Sequence, residues 1–324
     1  MKAIAWRRYG PPEVLEVTER PKPVPKENEV LIKIKATTVE TGDTELRRFQ
    51  IPVLFWIPLR LVMGIVAPRK GKGLGQQVAG IVEHVGKGVS AFKPGDEVLA
   101  NTGMVFNGYA EYICLPESYP IVHKPATVDW AEAAALSVGG LNALHFVRLA
   151  NIRRGQSMLI YGGTGAIGSF AVQLAKHNGA EVTAVCSTEK TAFATSLGAD
   201  HTIDYSRTRF YDTGQHWDVI LDTIGGSPYE QCIRSLTPNG TYLLANPRAR
   251  DMIRAWWTGK MTDKTVRVKM AGTGKNDLKL LRDMLARGEL RSVVDNRRFA
   301  LQTIVEAHRY VETRRKFGNV VVIL

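Results

Sequence analysis

Cysteine is scarce in this chain: Cys114, Cys186 and Cys232 stand far apart, and no two form a C-x-x-C pair. That spacing argues against a disulfide framework and a structural zinc knuckle, and three buried thiols in a reducing compartment are expected instead. Apolar runs are short as well. The longest, Ile51 to Ala67, is broken by Pro52, Pro58 and Arg60 and falls below the roughly 20 residues of a bilayer span. It reads as an apolar lid rather than a membrane anchor. The opening MKAIAWRRYGPPEV has no apolar core of signal-peptide length, so the cytoplasm is the expected compartment. Internal repeats and low-complexity segments are absent.

What is present allows a large core. Over 324 residues, 44% are hydrophobic, enough for two compact domains. The formal charge is +12, which raises nucleic acid as a partner through counterion release. The basic residues, however, fall in short scattered groups, Arg69 to Lys72, Arg153 with Arg154, and Arg314 to Lys316, with no aromatic-rich RNA motif between them. Attraction of phosphate-bearing cofactors is the simpler expectation.

Up to about residue 125 the chain reads as short β-segments with Gly/Pro turns: Glu29 to Val39, Val78 to Val85, Glu97 to Ala100 and Tyr109 to Leu115. From Asp129 the pattern changes to an Ala-rich helical stretch and then to alternation. Strands are expected at Ser157 to Tyr161, Glu181 to Val185, His201 to Asp204, Trp217 to Asp222, Gly240 to Ala245 and Thr265 to Ala271. Helices are expected at Ala166 to Asn178, Lys190 to Leu197 and Tyr229 to Ser235. Such alternation implies a parallel sheet covered on both faces. Two more helices, Asp277 to Arg287 and Leu301 to Thr313, precede a closing apolar strand, Asn319 to Leu324, expected to return to the first domain. The expected division is 1–125 and 273–324 for a discontinuous first domain, and 126–272 for the second.

The sharpest motif is G-x-G-x-x-G, formed by Gly163, Thr164, Gly165, Ala166, Ile167 and Gly168 between a predicted strand and a predicted helix. Gly163 permits the tight turn, Gly165 lets backbone approach a pyrophosphate, and Gly168 lets the helix pack on the strand. The helix start then offers free N–H groups to phosphate. The choice of nicotinamide cofactor depends on the end of the next strand, where an acid would hold the ribose 2′-hydroxyl. Cys186 stands there, followed by Ser187, Thr188, Glu189 and Lys190. Ser187, Thr188 and Lys190 can donate to a 2′-phosphate, which points to NADPH, although Lys190 alone reads equally as a solvated residue of the helix's first turn. Glu189 dissents, because a small register shift would put a carboxylate on the ribose.

Several motifs together resemble the medium-chain dehydrogenase/reductase superfamily, in its zinc-free, quinone oxidoreductase-like branch. They are YGPPEVL from Tyr9, VETGD from Val39, GQQVAGIVEHVGKGVSAFKPGDEV from Gly75, NGYAEY from Asn107, AAAL from Ala133, the glycine motif with SLGADHTIDY after it, and the closing FGNVVVIL. They span nearly the whole chain in order. The resemblance implies an α/β protein: a Rossmann domain with a doubly wound parallel sheet, a discontinuous GroES-like β-barrel catalytic domain, a cleft between them and a homodimer. It also implies cofactor contacts from Asn142, Tyr205, Thr223, Ala245, Asn246 and Asn319. For Tyr205 an aromatic cap on the sheet edge is an equal reading, and for Asn142 a helix hydrogen bond.

The zinc alcohol dehydrogenases of that superfamily carry a cysteine and a histidine where this chain has Glu40 and Gln76, and their four-cysteine lobe is missing here. No metal site is therefore expected. The quinone-reductase branch more often has asparagine at the Glu40 position. Glu40 is expected to orient substrate or relay a proton, or else to be a surface carboxylate near a turn, while Asp43 reads as a structural turn carboxylate. The expected reaction is hydride transfer from NADPH to a small hydrophobic quinone or α,β-unsaturated carbonyl. A non-catalytic NADPH-binding protein with RNA affinity and a zinc-independent alcohol dehydrogenase stand as alternatives. Segment 51–72 reads either as a hydrophobic wall of the cleft or as a packing loop.

Overall fold

A computed structural model describes residues 1–51, 56–69, 71–269, 271–272 and 274–324, the side chains of Pro58 and Ala249 excepted. The chain divides into two compact units, Met1–Val138 with Thr273–Leu324, and Gly139–Gly272.

The first unit is built on one long strand. Glu29–Val39 alternates its side chains, so Val30, Ile32 and Ile34 join Val78, Val82, Val98, Ile113 and Leu115 in one buried cluster. Val39 belongs to a second cluster with Trp6, Leu46, Val320 and Val322. The sheet runs Val294–Ala300, Asn319–Ile323, Glu29–Val39, Gln77–Val85, Glu97–Asn101, Ile121–His123, and Tyr112–Pro116 also pairs with Glu29–Val39. Register shifts between Leu31 and Ile32 and between Ile34 and Ala36 mark bulges, which bend a strand and increase its twist. The closing strand pairs antiparallel with Glu29–Val39, Val320 opposite Val39, so this unit is discontinuous in the chain. A hairpin of Lys2–Trp6 and Leu15–Glu19 completes it.

The second unit is a parallel sheet in the order His201–Asp204, Glu181–Cys186, Ser157–Tyr161, Trp217–Asp222, Leu236–Leu244, Thr265–Arg267. Strand order reverses between Ser157–Tyr161 and Trp217–Asp222, which creates a topological switch point at their carboxyl ends. Fully buried Met158, Leu159, Ile160, Ile220 and Leu221 show why these strands read as unbroken apolar runs.

Several expectations need correction. The first boundary lies after Val138 rather than residue 125, because the helix Trp130–Ala134 packs on the barrel strands Glu29–Val39 and Gln77–Val85. The Ala-rich stretch is two helices, Trp130–Ala134 and Ser137–Ala150. A capping box of Asp129 and Glu132 starts the first, and Gln77 Oε1 accepts the Val138 N–H (2.7 Å) near the start of the second. The strand expected at Tyr109 begins at Tyr112, since the Tyr109 backbone instead bonds Leu74 and Ile4. The strand expected at Gly240 begins at Leu236. The strand expected over Thr265 to Ala271 ends at Arg267, and residue 270 lies outside the described residues. A helix over Ala249–Met261 was not foreseen. In segment 51–72, Trp56–Met63 is helical, while 52–55 and 70 lie outside the described residues. Among those described, no helix is long and apolar enough to cross a membrane.

Candidate functional site

In the second unit the strand Ser157–Tyr161 runs into Gly162, whose φ of +85° only glycine adopts without strain. Gly162 and Gly163 both donate to Val185 O, pinning the turn to the neighbouring strand. A Cβ on Gly163 would meet Ala184 Cβ at 2.8 Å, and one on Gly168 would meet Gly162 O at 2.1 Å. These two glycines are therefore required by packing. Gly165 differs: a Cβ there would find only Gly162 O, at 3.5 Å. It caps the helix Ala166–His177 with no side-chain bond. The first helical bond is Ser169 N–H to Gly165 O (2.9 Å), which leaves the amides of Ala166, Ile167 and Gly168 as donors. Open space beside Gly165 and unspent donors at the helix start fit a pyrophosphate. Thr164 is buried in the same turn.

At the end of Glu181–Cys186 the hydroxyls already have acidic acceptors. Ser187 donates to Glu189 (2.9 Å), and Thr188 donates to Asp204. Asp204 also accepts from Ser206 N and Oγ (2.9 and 2.6 Å), bonds that lower its pKa. Burial and the nearby Asp204 carboxylate push the Cys186 thiol up to about 11, so it is protonated at neutral pH. Lys190 is buried, and its ammonium lies near enough to Cys186 to oppose that shift. Tyr205 is more than half exposed, its N–H bonded to Cys186 O (3.1 Å). The turn thus gathers Ser187, Thr188, Lys190 and Tyr205, with Asp204 as the member that sequence reading missed. A strand-end acid paired with Cys186 across the sheet was the available signal.

Beyond the switch point, Thr223 Oγ1 donates to Tyr161 O (2.9 Å), tying the fourth strand's loop to the glycine turn. Asn246 Nδ2 donates to Thr223 O (3.0 Å), and Ala245 N to Asp222 O (3.0 Å). Both residues flank the turn as loop braces. Asn142 is half-buried on Ser137–Ala150.

The first unit holds a buried polar group around Glu40. Its side chain follows the strand Glu29–Val39 and stands at the cap of the helix Thr41–Arg48. Gln77 Nε2 donates to Glu40 Oε1 and to Thr38 Oγ1, both at 2.8 Å. The other end of the amide accepts from Val138 N and from Ser137 Oγ (3.2 Å). Burial raises the Glu40 pKa, opposed by the Lys316 ammonium and by hydrogen bonds from Thr38 and Gln77. Lys316 is also buried and its pKa lowered by burial, against the pull of Glu40 and Asp295. The reading of Glu40 as a surface carboxylate therefore fails. Asp43 accepts from the backbone N–H of Glu40 (2.9 Å) and Gly75 (3.0 Å), a structural turn carboxylate whose pKa burial raises to about 6. Asn319 is fully buried; its Nδ2 donates to Val293 O (2.9 Å), while Oδ1 has no partner among the described residues. That acceptor suits an amide donor on a ligand. Sequence reading missed Gln77, Thr38 and Lys316, because the glutamine sits in an apolar strand and the lysine inside a basic run.

Gln76 makes one long contact, Nε2 to Gly103 O at 3.5 Å. Among the described residues, no three His, Cys, Asp or Glu side chains gather as a metal-binding group.

Residues 26–126 match the family described as alcohol dehydrogenase GroES-like domain, and residues 197–322 the one described as zinc-binding dehydrogenase. A 2-methylene-furan-3-one reductase of Solanum lycopersicum is 32% identical, over 99% of this chain and 79% of its own. An NADPH-dependent alkenal/one oxidoreductase of Arabidopsis thaliana is 31% identical over the same shares. Among solved structures, the quinone oxidoreductase of Coxiella burnetii superposes with a TM-score of 0.88 at 28% identity, covering 100% of this chain and 99% of that one.

Proposed function

Since the chain belongs to the medium-chain dehydrogenase/reductase superfamily, among its quinone oxidoreductase-like members, we propose that it reduces a quinone or an α,β-unsaturated carbonyl with NADPH and without a catalytic zinc. NADPH, when bound, supplies the hydride. The glycine turn and the amides of Ala166, Ile167 and Gly168 would hold its pyrophosphate, Lys190 and Tyr205 its 2′-phosphate.

The observation that carries the zinc-free reading is the state of Glu40. Its carboxylate is taken up by the Gln77 amide and sits in the field of the Lys316 ammonium, and the neighbouring Gln76 is an amide. Amides and one carboxylate already compensated by a cation are a poor donor set for zinc. Reduction of a saturated ketone concentrates charge on one oxygen and needs a metal or a strong proton donor. A quinone or enone spreads that charge over several atoms, so hydrogen bonds and late protonation suffice. Glu40, coupled to Lys316, is assigned the orienting or proton-relaying role.

The test is NADPH oxidation with matched pairs of enone and saturated ketone, before and after exhaustive chelation. The enone or a quinone should turn over roughly 100-fold faster, a barrier difference of about 2.7 kcal/mol, and chelation should change nothing. A faster saturated ketone, or activity lost on chelation and restored by zinc, would overturn the reading.

Lys190→Ala tests the 2′-phosphate assignment. Losing one charge-assisted bond of about 1.5–3 kcal/mol should raise the NADPH KM by roughly 10- to 100-fold and leave NADH almost unaffected. An unchanged ratio would move the assignment away from Lys190.

A further inference from the structure

In dinucleotide-binding domains the acid that fixes a ribose 2′-hydroxyl stands at the end of the second strand, and here Cys186 holds that place. The neighbouring strand supplies an acid instead. Asp204 pairs in parallel register with Cys186, as Ile203 does with Val185. Side chains alternate along a strand, and paired positions of adjacent strands share a face about 4.8 Å apart. Val185 and Ile203 both enter the buried cluster of Phe210, Trp217 and Tyr242, so Cys186 and Asp204 point together to the opposite face. Burial and then the Asp204 carboxylate raise the Cys186 pKa, which places that carboxylate beside the thiol. Hydrogen bonds from Ser206 and Thr188 lower the pKa of Asp204 itself, so it is ionised at neutral pH.

One oxygen of this carboxylate is exchangeable. Oδ1 accepts the Ser206 N–H (2.9 Å) and hydroxyl (2.6 Å). Oδ2 accepts the Thr188 hydroxyl, and Arg207 Nε lies 3.5 Å from it. The Arg207 side chain is 77% exposed, so that ion pair is weak. Thr188 Oγ1 also lies 3.1 Å from Ser206 Oγ, which has acceptor capacity left after its own donation. Turning the Thr188 proton to that oxygen frees Oδ2 and leaves Thr188 paired. Glu189 offers no such acceptor: it sits in the turn Thr188–Lys190, where no strand register aims it at this face.

We propose that Asp204 opens this turn to NADH as well as NADPH, its Oδ2 accepting the ribose 2′-hydroxyl of NADH, given the placement of the adenosine half beside Lys190 and Tyr205 on which the NADPH reading stands. A ribose hydroxyl gives Asp204 a donor. A 2′-phosphate brings acceptor oxygens and like charge, which the carboxylate repels. Asp204 therefore favours NADH and opposes NADPH, while the buried Lys190 does the reverse.

Nucleotide fluorescence titration of the full chain, without substrate, tests this. The parent protein should bind NADPH and NADH with Kd values within roughly 100-fold of each other, the reach of one charge-assisted bond. Asp204→Asn should raise the NADH Kd roughly tenfold, because a charge-assisted bond becomes neutral, and leave or lower that of NADPH. Lys190→Ala should give the opposite pattern. A merely structural brace would weaken both nucleotides by one factor, since Asp204 ties the same two loops whichever is bound. Thr188→Val removes the donor that competes for Oδ2 and should tighten NADH alone, which keeps the test decisive if Asp204→Asn does not fold. Equal weakening of both nucleotides by Asp204→Asn, an unchanged NADH Kd, no gain for NADH in Thr188→Val, or a parent ratio beyond the stated limit would each overturn the proposal. Absence of quinone and enone turnover with this binding pattern intact would sink the substrate reading alone.

Discussion

Gly165→Ala should fold as the parent protein does and lose NADPH, whereas Gly168→Ala should lose both. The difference follows from what each new methyl would meet. At position 165 the backbone has ordinary extended angles, φ −79° and ψ −178°, and among the described residues the only neighbour is Gly162 O at 3.5 Å. Stability should change by about 1 kcal/mol or less, the usual margin between glycine and alanine at a helix cap. The methyl does occupy the space through which a pyrophosphate reaches the amides of Ala166 to Gly168. Losing one bond to a charged phosphate, about 1.5–3 kcal/mol, weakens NADPH binding roughly 10- to 100-fold. At position 168 the methyl would lie 2.1 Å from Gly162 O and 2.8 Å from Gly163 Cα. Both are backbone atoms of the same turn, so helix and strand must separate. A stability loss of about 3 kcal/mol or more is expected, at the upper end of overpacking. Thermal unfolding and NADPH fluorescence titration of the two variants check this. If Gly165→Ala binds NADPH as the parent does, the phosphate does not pass where the helix start suggests.

The contrast between these glycines also shows where sequence was informative. The turn was legible because its constraint is local: strand, three glycines and helix lie within about one βα unit, and an unbroken apolar run gives way there to a period of 3.6. The central strands were legible for a similar reason, since residues buried on both faces leave unbroken apolar runs. Elements whose stability comes from distant partners were not. Val294–Ala300 contains Asp295, Arg297 and Arg298 and has no apolar pattern; it is a strand because Asn319–Ile323 lies beside it. The helix Ala249–Met261 carries its apolar residues outward, the reverse of the amphipathic pattern that marks a helix packed on a sheet. In the site, Glu40 was found by position in a motif, but its burial beside Lys316 joins residues far apart in the chain. No spacing rule reports such a pair.

Gln77 is the residue on which that buried group turns, and Gln77→Leu should destabilise the protein by about 3–5 kcal/mol at neutral pH, the range for removing one partner of a buried charge. The leucine is close in size, so the loss is polar. Glu40 would lose its 2.8 Å donor, and the Val138 N–H and Ser137 hydroxyl their acceptor. The two parts of the loss respond differently to pH. Burial already holds the Glu40 pKa above its ordinary value. Ionising it in the folded state therefore costs stability that is absent below the unfolded pKa and fully present above the folded one. Removing the amide donor raises the folded pKa further, so the penalty of the variant must grow as pH rises. Below the unfolded pKa, where Glu40 is protonated in both states, only the orphaned Val138 and Ser137 groups should remain, about 1–3 kcal/mol. Urea unfolding of parent and variant at about pH 5, 7 and 8.5 measures the slope. Adding Glu40→Gln to the variant should remove the part of the slope that Gln77→Leu adds, because the carboxyl that the Gln77 amide supports is gone. A penalty that is the same at every pH would show that Gln77 serves the helix start alone and that Lys316 suffices to hold the Glu40 charge.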